Sequence, residues 1–271
     1  MELGIVSDEI SRDFEVALRG AVSIGLRRFE IRFLKSGRAP LCDAGELREV
    51  EHLAREEGVE ITGLAPGLFK NVTDAAGFAQ EMREIYPRAA LWAKRWNLPG
   101  LIIFGFRKPG ATEDNGDTIS SNNPPPEIKQ WLSEAGERAH ADGLTLMVEP
   151  EPVCWADSGP ATTALLSPGL KINYDPGNVV WLERRDPLDE LAGVAPHIAN
   201  MHIKDVLAAP RGSGKPQFVP AGEGIIDYRA HFSELKRIGF NGPMTLEPHM
   251  DASVEAARRC KEAVERIWES I

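Results

Sequence analysis

Short apolar, β-branched runs alternate with longer amphipathic stretches from one end of this chain to the other. The runs Glu2–Ser7, Arg27–Ile31, Val59–Leu64, Leu101–Phe104, Leu144–Glu149, Lys171–Asp175, Ala199–His202 and Met244–Glu247 read as strands. Most are apolar at successive positions, the pattern of strands buried on both faces. Between them, Asp13–Ile24 sets Phe14, Ala17, Leu18 and Ala21 on one stripe, and Ala44–Glu57 does the same with Leu47, Val50, Leu53 and Ala54. Further helices are predicted over Asp74–Asn97, Pro125–Asp142, Thr162–Leu166, Pro187–Val194, Tyr228–Ile238 and Ser253–Trp268. Gly25, Gly58, Gly143 and Gly239 each close a helical stretch, where a left-handed residue satisfies the last carbonyls, and an apolar run follows.

Eight strand–helix units in strict alternation imply parallel strands with crossover helices. A doubly wound open sheet shows the same alternation but gives no reason for polar residues to end four successive strands. That placement favours a closed (β/α)8 TIM barrel, expected as a single domain over residues 1–271. Two low-propensity stretches, Gly105–Pro126 and Val206–Gly224, follow strands four and seven. In a barrel they are long loops on the catalytic face.

The polar strand ends carry the chemistry. Glu149 ends LTLMVE, Asp175 ends KINYD, His202 ends IANMH and Glu247 ends MTLE. Such ends converge on the barrel axis, so residues distant in sequence become neighbours. The first two intervals are 26 and 27 residues, each close to one βα unit, and the third is 45, one unit lengthened by the loop after strand seven. Three carboxylates and an imidazole form a hard, oxygen-rich set suited to one divalent ion, Mn²⁺ or Mg²⁺ first and Co²⁺ or Zn²⁺ after them. Without a cation, mutual repulsion would drive such a buried cluster to take up protons.

Composition narrows the partners. The net charge is -10, from 31 basic and 41 acidic side chains, and no basic stripe is present, so a nucleic-acid partner is not expected. Cys42, Cys154 and Cys260 are odd in number and far apart, which reads as reduced thiols. The opening MELGIVSDEI lacks a basic-then-apolar signal pattern, and no apolar run approaches the ~20 residues of a membrane span. A soluble, cytoplasmic protein without a membrane partner is the expectation.

Five segments, VEPE at Val148–Glu151, YDPGN at Tyr174–Asn178, MHIKD at Met201–Asp205, VPAGEGIID at Val219–Asp227 and LEPH at Leu246–His249, together resemble the xylose isomerase-like superfamily of sugar isomerases and epimerases. The resemblance covers nearly the whole chain. It implies that Glu149, Asp175, His202 and Glu247 hold one divalent metal. It also implies that Glu149 and Glu247 act as base and acid on opposite sides of a small sugar-like substrate. A proton beside a carbonyl then moves through an enediolate, with the metal as Lewis acid and template. Opposite faces give epimerisation, and one shuttling carboxylate gives aldose–ketose isomerisation. A dehydratase of an inosose-like or dehydroshikimate-like substrate begins with the same step and is the alternative. An apurinic endonuclease on this barrel needs extra histidines, absent from the strand ends FEIR, LAPG, FGFR and YDPGN. A non-catalytic sugar-binding barrel sits poorly with an intact ligand set. The resemblance further implies pairing into a homodimer or homotetramer.

Substrate contacts follow from strand geometry. Glu151 and His249 lie two residues past a ligand and project to the same side. Asn178 stands where keto-sugar epimerases of the family carry a histidine. Lys204 either binds a substrate oxygen or pairs with Asp205. Trp155 either covers the apolar face of a sugar or packs under its loop. Arg107, with Arg32 and Lys108, follows a strand, so these cations either meet an anionic substrate or stay solvated. Glu223 either reaches the site or stabilises its turn.

Overall fold

The computed structural model describes residues 2–112, 123–183, 186–207 and 217–271. Eight strands surround one axis: β1 Leu3–Val6, β2 Arg28–Ile31, β3 Glu60–Leu64, β4 Gly100–Phe104, β5 Thr145–Glu149, β6 Leu170–Tyr174, β7 Ile198–Ile203 and β8 Met244–Leu246. Hydrogen-bonded neighbours run β3, β2, β1, β8, β7, β6, β5, β4, and every pairing is parallel. First and last strands meet, with Leu3 opposite Met244. Only β3 and β4 lack a ladder to each other among the described residues. Past their ends, Phe104 N–H donates to Leu68 O at 3.0 Å across this seam. The result is a nearly closed (β/α)8 TIM barrel.

Among the described residues ten helices lie between or after the strands: α1 Phe14–Ser23, α2 Ala44–Glu57, α3 Ala75–Glu84, α4 Tyr86–Arg95, α5 Pro126–Ala141, α6 Gly159–Leu165, α7 Pro176–Glu183, α8 Pro187–Val194, α9 Tyr228–Arg237 and α10 Val254–Glu269. Asp13, Asp43, Asp74, Ser158, Asp186, Asp227 and Ser253 each cap one, accepting first-turn N–H groups that have no intrahelical partner. The stretch Asp74–Asn97, expected as one helix, is two. Pro87 has no N–H to continue the ladder and sits in the first turn of α4. The helix expected at Thr162 starts three residues earlier, under the Ser158 cap. Helix α7, absent from the sequence expectation, begins inside YDPGN.

Between barrel and helices the strands bury Ile5, Phe29, Ile31, Leu101, Ile103, Leu146, Val148, Ile172 and Met201 completely. Each such side chain stabilises the fold by roughly 1.5–3 kcal/mol relative to exposure. Two short antiparallel ribbons rise from the catalytic face. Phe33–Leu34 pairs with Gly37–Arg38 after β2, and Asp205–Val206 pairs with Phe218–Val219 after β7. Of the two long loops expected after β4 and β7, residues 113–122 and 208–216 lie outside the described residues. Among the described residues no helix is long and apolar enough to cross a membrane.

Asp205 anchors the loop after β7. Its buried carboxylate accepts N–H groups from Val206 (2.8 Å), Gly222 (2.9 Å), Gly224 (3.1 Å) and Ile226 (3.2 Å). Asp205→Ala strands these donors and is expected to cost roughly 2–4 kcal/mol in urea unfolding. An unchanged unfolding midpoint would contradict this assignment.

Candidate functional site

Residues two apart on a strand share a face, and this period builds the site in two tiers. The lower tier is Glu30 of β2, Asn173 of β6 and Asn200 of β7, all buried. Asn200 Nδ2 donates to Asn173 Oδ1 at 2.8 Å and approaches Glu30 Oε2 at 3.4 Å. Two positions further along, Asp175, His202 and Arg32 form the upper tier with Glu149 and Glu247.

One ligand atom from each of Glu149, Asp175, His202 and Glu247 lies within 4.8 Å of the others, and all four residues are buried. Glu149 Oε2 accepts Asn173 Nδ2 at 2.8 Å, and its Oε1 accepts Asn178 Nδ2 at 3.0 Å. Asp175 Oδ1 caps α7 through Gly177 N–H (2.9 Å) and Asn178 N–H (3.1 Å). Its other oxygen lies 2.7 Å from Lys204 Nζ, an ion-pair contact without hydrogen-bond alignment. The Lys204 ammonium also donates to Glu247 Oε2 at 2.8 Å. His202 Nε2 meets Glu30 Oε2 at 2.9 Å across the barrel, while Nδ1 faces Glu247 Oε2 (3.3 Å) and Glu149 Oε2 (3.5 Å).

Glu247 is the most crowded carboxylate. Its Oε1 accepts Arg32 Nη1 and lies 3.1 Å from His249 Nε2. Arg32 also donates to Asp8 Oδ2 (2.9 Å) and Glu9 Oε1 (2.6 Å), so it clamps β8 to the first βα turn. Burial alone would raise the Glu247 carboxyl, but Lys204, His249 and His202 outweigh it and hold the group well below its ordinary value. Glu149 goes the other way. Burial pushes it up to about 7, with the Glu247 and Asp175 charges adding to the rise against the pull of His202. For His202, burial opposes the charged form, yet Glu30 and Glu247 raise the imidazole well above its usual value.

The expected contact residues divide. Asn178 touches Glu149, Lys204 bridges Asp175 and Glu247 rather than Asp205, and His249 touches Glu247. His249 also takes a left-handed backbone (φ 52°), and its ring packs 5.1 Å from that of Phe218. Glu151 is buried nearby with Lys70 Nζ at 2.9 Å. Trp155 packs in the main apolar core under its loop. Arg107 is tied to loop groups, donating to Lys70 O (3.3 Å), Ala111 O (2.9 Å) and Asn71 Oδ1 (3.0 Å). Lys108 is buried against Asp157 rather than solvated, and Glu223 faces Arg259 at 3.4 Å.

Glu30, Asn173, Asn200 and the Arg32 clamp were not singled out from the sequence as parts of the site. A signal for the asparagines existed: INYD and ANMH each carry one two residues before a ligand, on the same face.

A divalent cation fits this donor set. The four ligand atoms are oxygen-rich and mutually close. With Nε2 directed at Glu30, Nδ1 of His202 remains to face the carboxylates, the carboxylate–histidine arrangement that orients metal-bound imidazoles. The oxygens that the Lys204 ammonium touches belong to the same set.

Fold and site thus define a (β/α)8 barrel with a carboxylate–imidazole cluster at its C-terminal mouth. A family model, the xylose isomerase-like TIM barrel, matches residues 18–268, and the chain belongs to that family. An L-ribulose-5-phosphate 3-epimerase of Escherichia coli O157:H7 is 28% identical over 145 residues, covering 52% of this chain and 48% of that enzyme. The match therefore spans about half the length of that curated relative. Among solved structures, a probable 3-DHS dehydratase from Bacillus anthracis superposes with a TM-score of 0.77 at 18% identity, covering 98% of this chain and 99% of that one. The IOLI protein with a bound zinc atom gives 0.76 at 18% identity, covering 100% and 99%. These two likenesses are of fold.

Two outcomes follow for metal binding. Ligation by Glu149 and by His202 would each require loss of a proton, so apparent affinity should fall as pH drops and fall more steeply below about 7, where Glu149 also protonates. In a metal titration, Glu149→Gln should remove the added steepness below about 7 and leave the dependence that His202 sets. Glu30→Gln should weaken metal affinity by about 10–100-fold by releasing the His202 ring, whereas an unaltered affinity would show that Glu30 plays no orienting part.

Proposed function

We propose that this chain is a divalent-metal-dependent isomerase or epimerase that moves a proton beside the carbonyl of a small sugar-like substrate. The observation that carries the reading is that two glutamates, Glu149 and Glu247, reach one buried four-donor cluster with Asp175 and His202 from the ends of β5 and β8. The sugar-phosphate epimerase among its relatives supports it.

Glu149, Asp175, His202 and Glu247 would hold the metal, Mn²⁺ or Mg²⁺ first and Co²⁺ or Zn²⁺ after them. When bound, it polarises the carbonyl of the substrate. Glu149, oriented by Asn173 and Asn178, takes the proton from the neighbouring carbon. The C–H electron pair moves toward the carbonyl oxygen as that bond breaks. Lys204 and His249 stand beside Glu247, where an ammonium and an imidazole hydrogen-bond substrate hydroxyls and limit their drift. Return of the proton by Glu149 to the former carbonyl carbon, with the hydroxyl proton of the neighbouring carbon passing to the former carbonyl oxygen, gives isomerisation. Delivery from the Glu247 side gives epimerisation.

The asymmetry between the glutamates bears on that choice. Glu247, ringed by Lys204, Arg32 and two histidines, holds a proton poorly, so chemistry with one titrating carboxylate is favoured over a symmetric two-base exchange. Dehydration also needs one base and is the second reading.

Purified protein should contain on the order of one divalent ion per chain and lose turnover with chelator. Glu149→Gln should lower kcat by about 10²–10⁴-fold. In D₂O, product should carry deuterium beside the carbonyl, whereas product lighter by one water would identify a dehydratase. Turnover and metal content untouched by both Glu149→Gln and Glu247→Gln would end this reading.

A further inference from the structure

Arg38 is the half-buried cation at the barrel mouth that no carboxylate answers. Arg32, Lys70, Lys108 and Lys204 each contact one, but among the described residues Arg38 has none within ion-pair distance. It stands on the ribbon after β2, opposite Phe33. Its Nε donates to Ala65 O at 3.0 Å, just beyond β3. That bond leaves the two terminal amino groups of the guanidinium to face elsewhere.

Three further observations show a built position rather than a stray side chain. Arg38 lies with its guanidinium carbon 4.9 Å from the Phe33 ring centroid, and the Arg12 guanidinium lies 4.9 Å from the same centroid. Arg12 is exposed to solvent, so of the two guanidinium groups on this ring Arg38 is the one partly withdrawn from water without a carboxylate partner among the described residues. Gly67 makes the space. It holds φ at 78°, and a Cβ there would sit 2.8 Å from Arg38 Nε. Burial, then the neighbouring Arg32 charge, pushes the Arg38 guanidinium below its ordinary value, while Glu149, Asp8 and Glu247 act on it only through space. Ala39 N–H donates to Arg32 O at 2.9 Å, so the ribbon that carries Arg38 is held beside Arg32, which touches Glu247 of the four-donor cluster.

A guanidinium withdrawn from water without a counter-ion is costly, and its two parallel amino groups match the oxygens of a phosphate or carboxylate. We infer that Arg38 binds a terminal oxyanion group of the substrate whose carbonyl end meets Glu149 and Glu247. The inference rests on the proposed function for the carbonyl end and specifies the substrate class: an anionic polyhydroxy carbonyl compound, phosphorylated or carboxylated.

Arginine-selective dicarbonyl labelling of the metal-loaded protein, read by peptide mass spectrometry, tests this without requiring turnover. Inorganic phosphate or acetate is added in separate arms. Protection of Arg38 by roughly tenfold in either arm, with exposed Arg12 as the unprotected reference, supports the site and identifies the oxyanion. Labelling rates unchanged by both anions overturn it, even if isomerase activity is established by other means. Kinetics supply the second readout. Arg38→Gln keeps a donor for Ala65 O, and with a matched ketose and its phosphate or carboxylate it should raise KM for the anionic member by about 10–100-fold. KM for the neutral member and kcat for both should stay put. An equal loss on both substrates marks a purely structural role and overturns the inference.

Discussion

Four carboxylates, Glu30, Glu149, Asp175 and Glu247, are held inside one barrel mouth out of contact with water, and their mutual repulsion sets the terms for everything around them. At an effective dielectric of 20, two like charges 4 Å apart repel by about 4 kcal/mol. The chain answers with three buried cationic groups threaded between them: His202 between Glu30 and Glu247, Lys204 between Asp175 and Glu247, and Arg32 behind Glu247. His202 and Lys204 come from the end of β7 and Arg32 from the end of β2, and their contacts with Glu247 tie both strand ends to β8. The asparagine floor follows from the same need, because it orients carboxylate oxygens without adding charge.

That arrangement also separates the two glutamates. Cations crowd the β8 side, whereas Glu149 on β5 is met by two amide donors and no lysine or arginine ion pair. The uneven distribution gives a symmetric-looking pair of acids unequal proton affinities, the condition under which one can exchange a proton near neutrality while the other stays charged.

Strands buried on both faces leave near-continuous apolar runs, which is why all eight could be located from the sequence to within a few residues. The four-donor cluster was legible for a related reason: a charged residue ending such a run has few places to point except the axis. What sequence pattern hid was pairing across the barrel. Glu30 in FEIR looks like an ordinary surface charge and Arg32 was open between an anionic substrate and solvent, since nothing local reveals that they meet His202 of β7 and Glu247 past β8. Lys204 was open between two roles until the fold placed Asp175 and Glu247 on either side of it. The long amphipathic pattern over Asp74–Asn97 concealed a break because Pro87 falls where a new first turn tolerates it. Helix α7 went unseen because its first residues read as a chemical motif.

The seam between β3 and β4 gives the barrel the mechanics of a split ring. Seven ladders run around the circumference, and among the described residues the Phe104 to Leu68 backbone bond, rather than a ladder, spans the remaining gap. The ligand-bearing strands β5 to β8 are joined by unbroken ladders at a distance from the slit, so the distances among their side chains are held stiffly. The β3 end, with Ala65 and Gly67 beneath Arg38, borders the slit directly. Compliance is thus assigned to the wall that would meet the far end of a substrate, and rigidity to the wall that would do its chemistry.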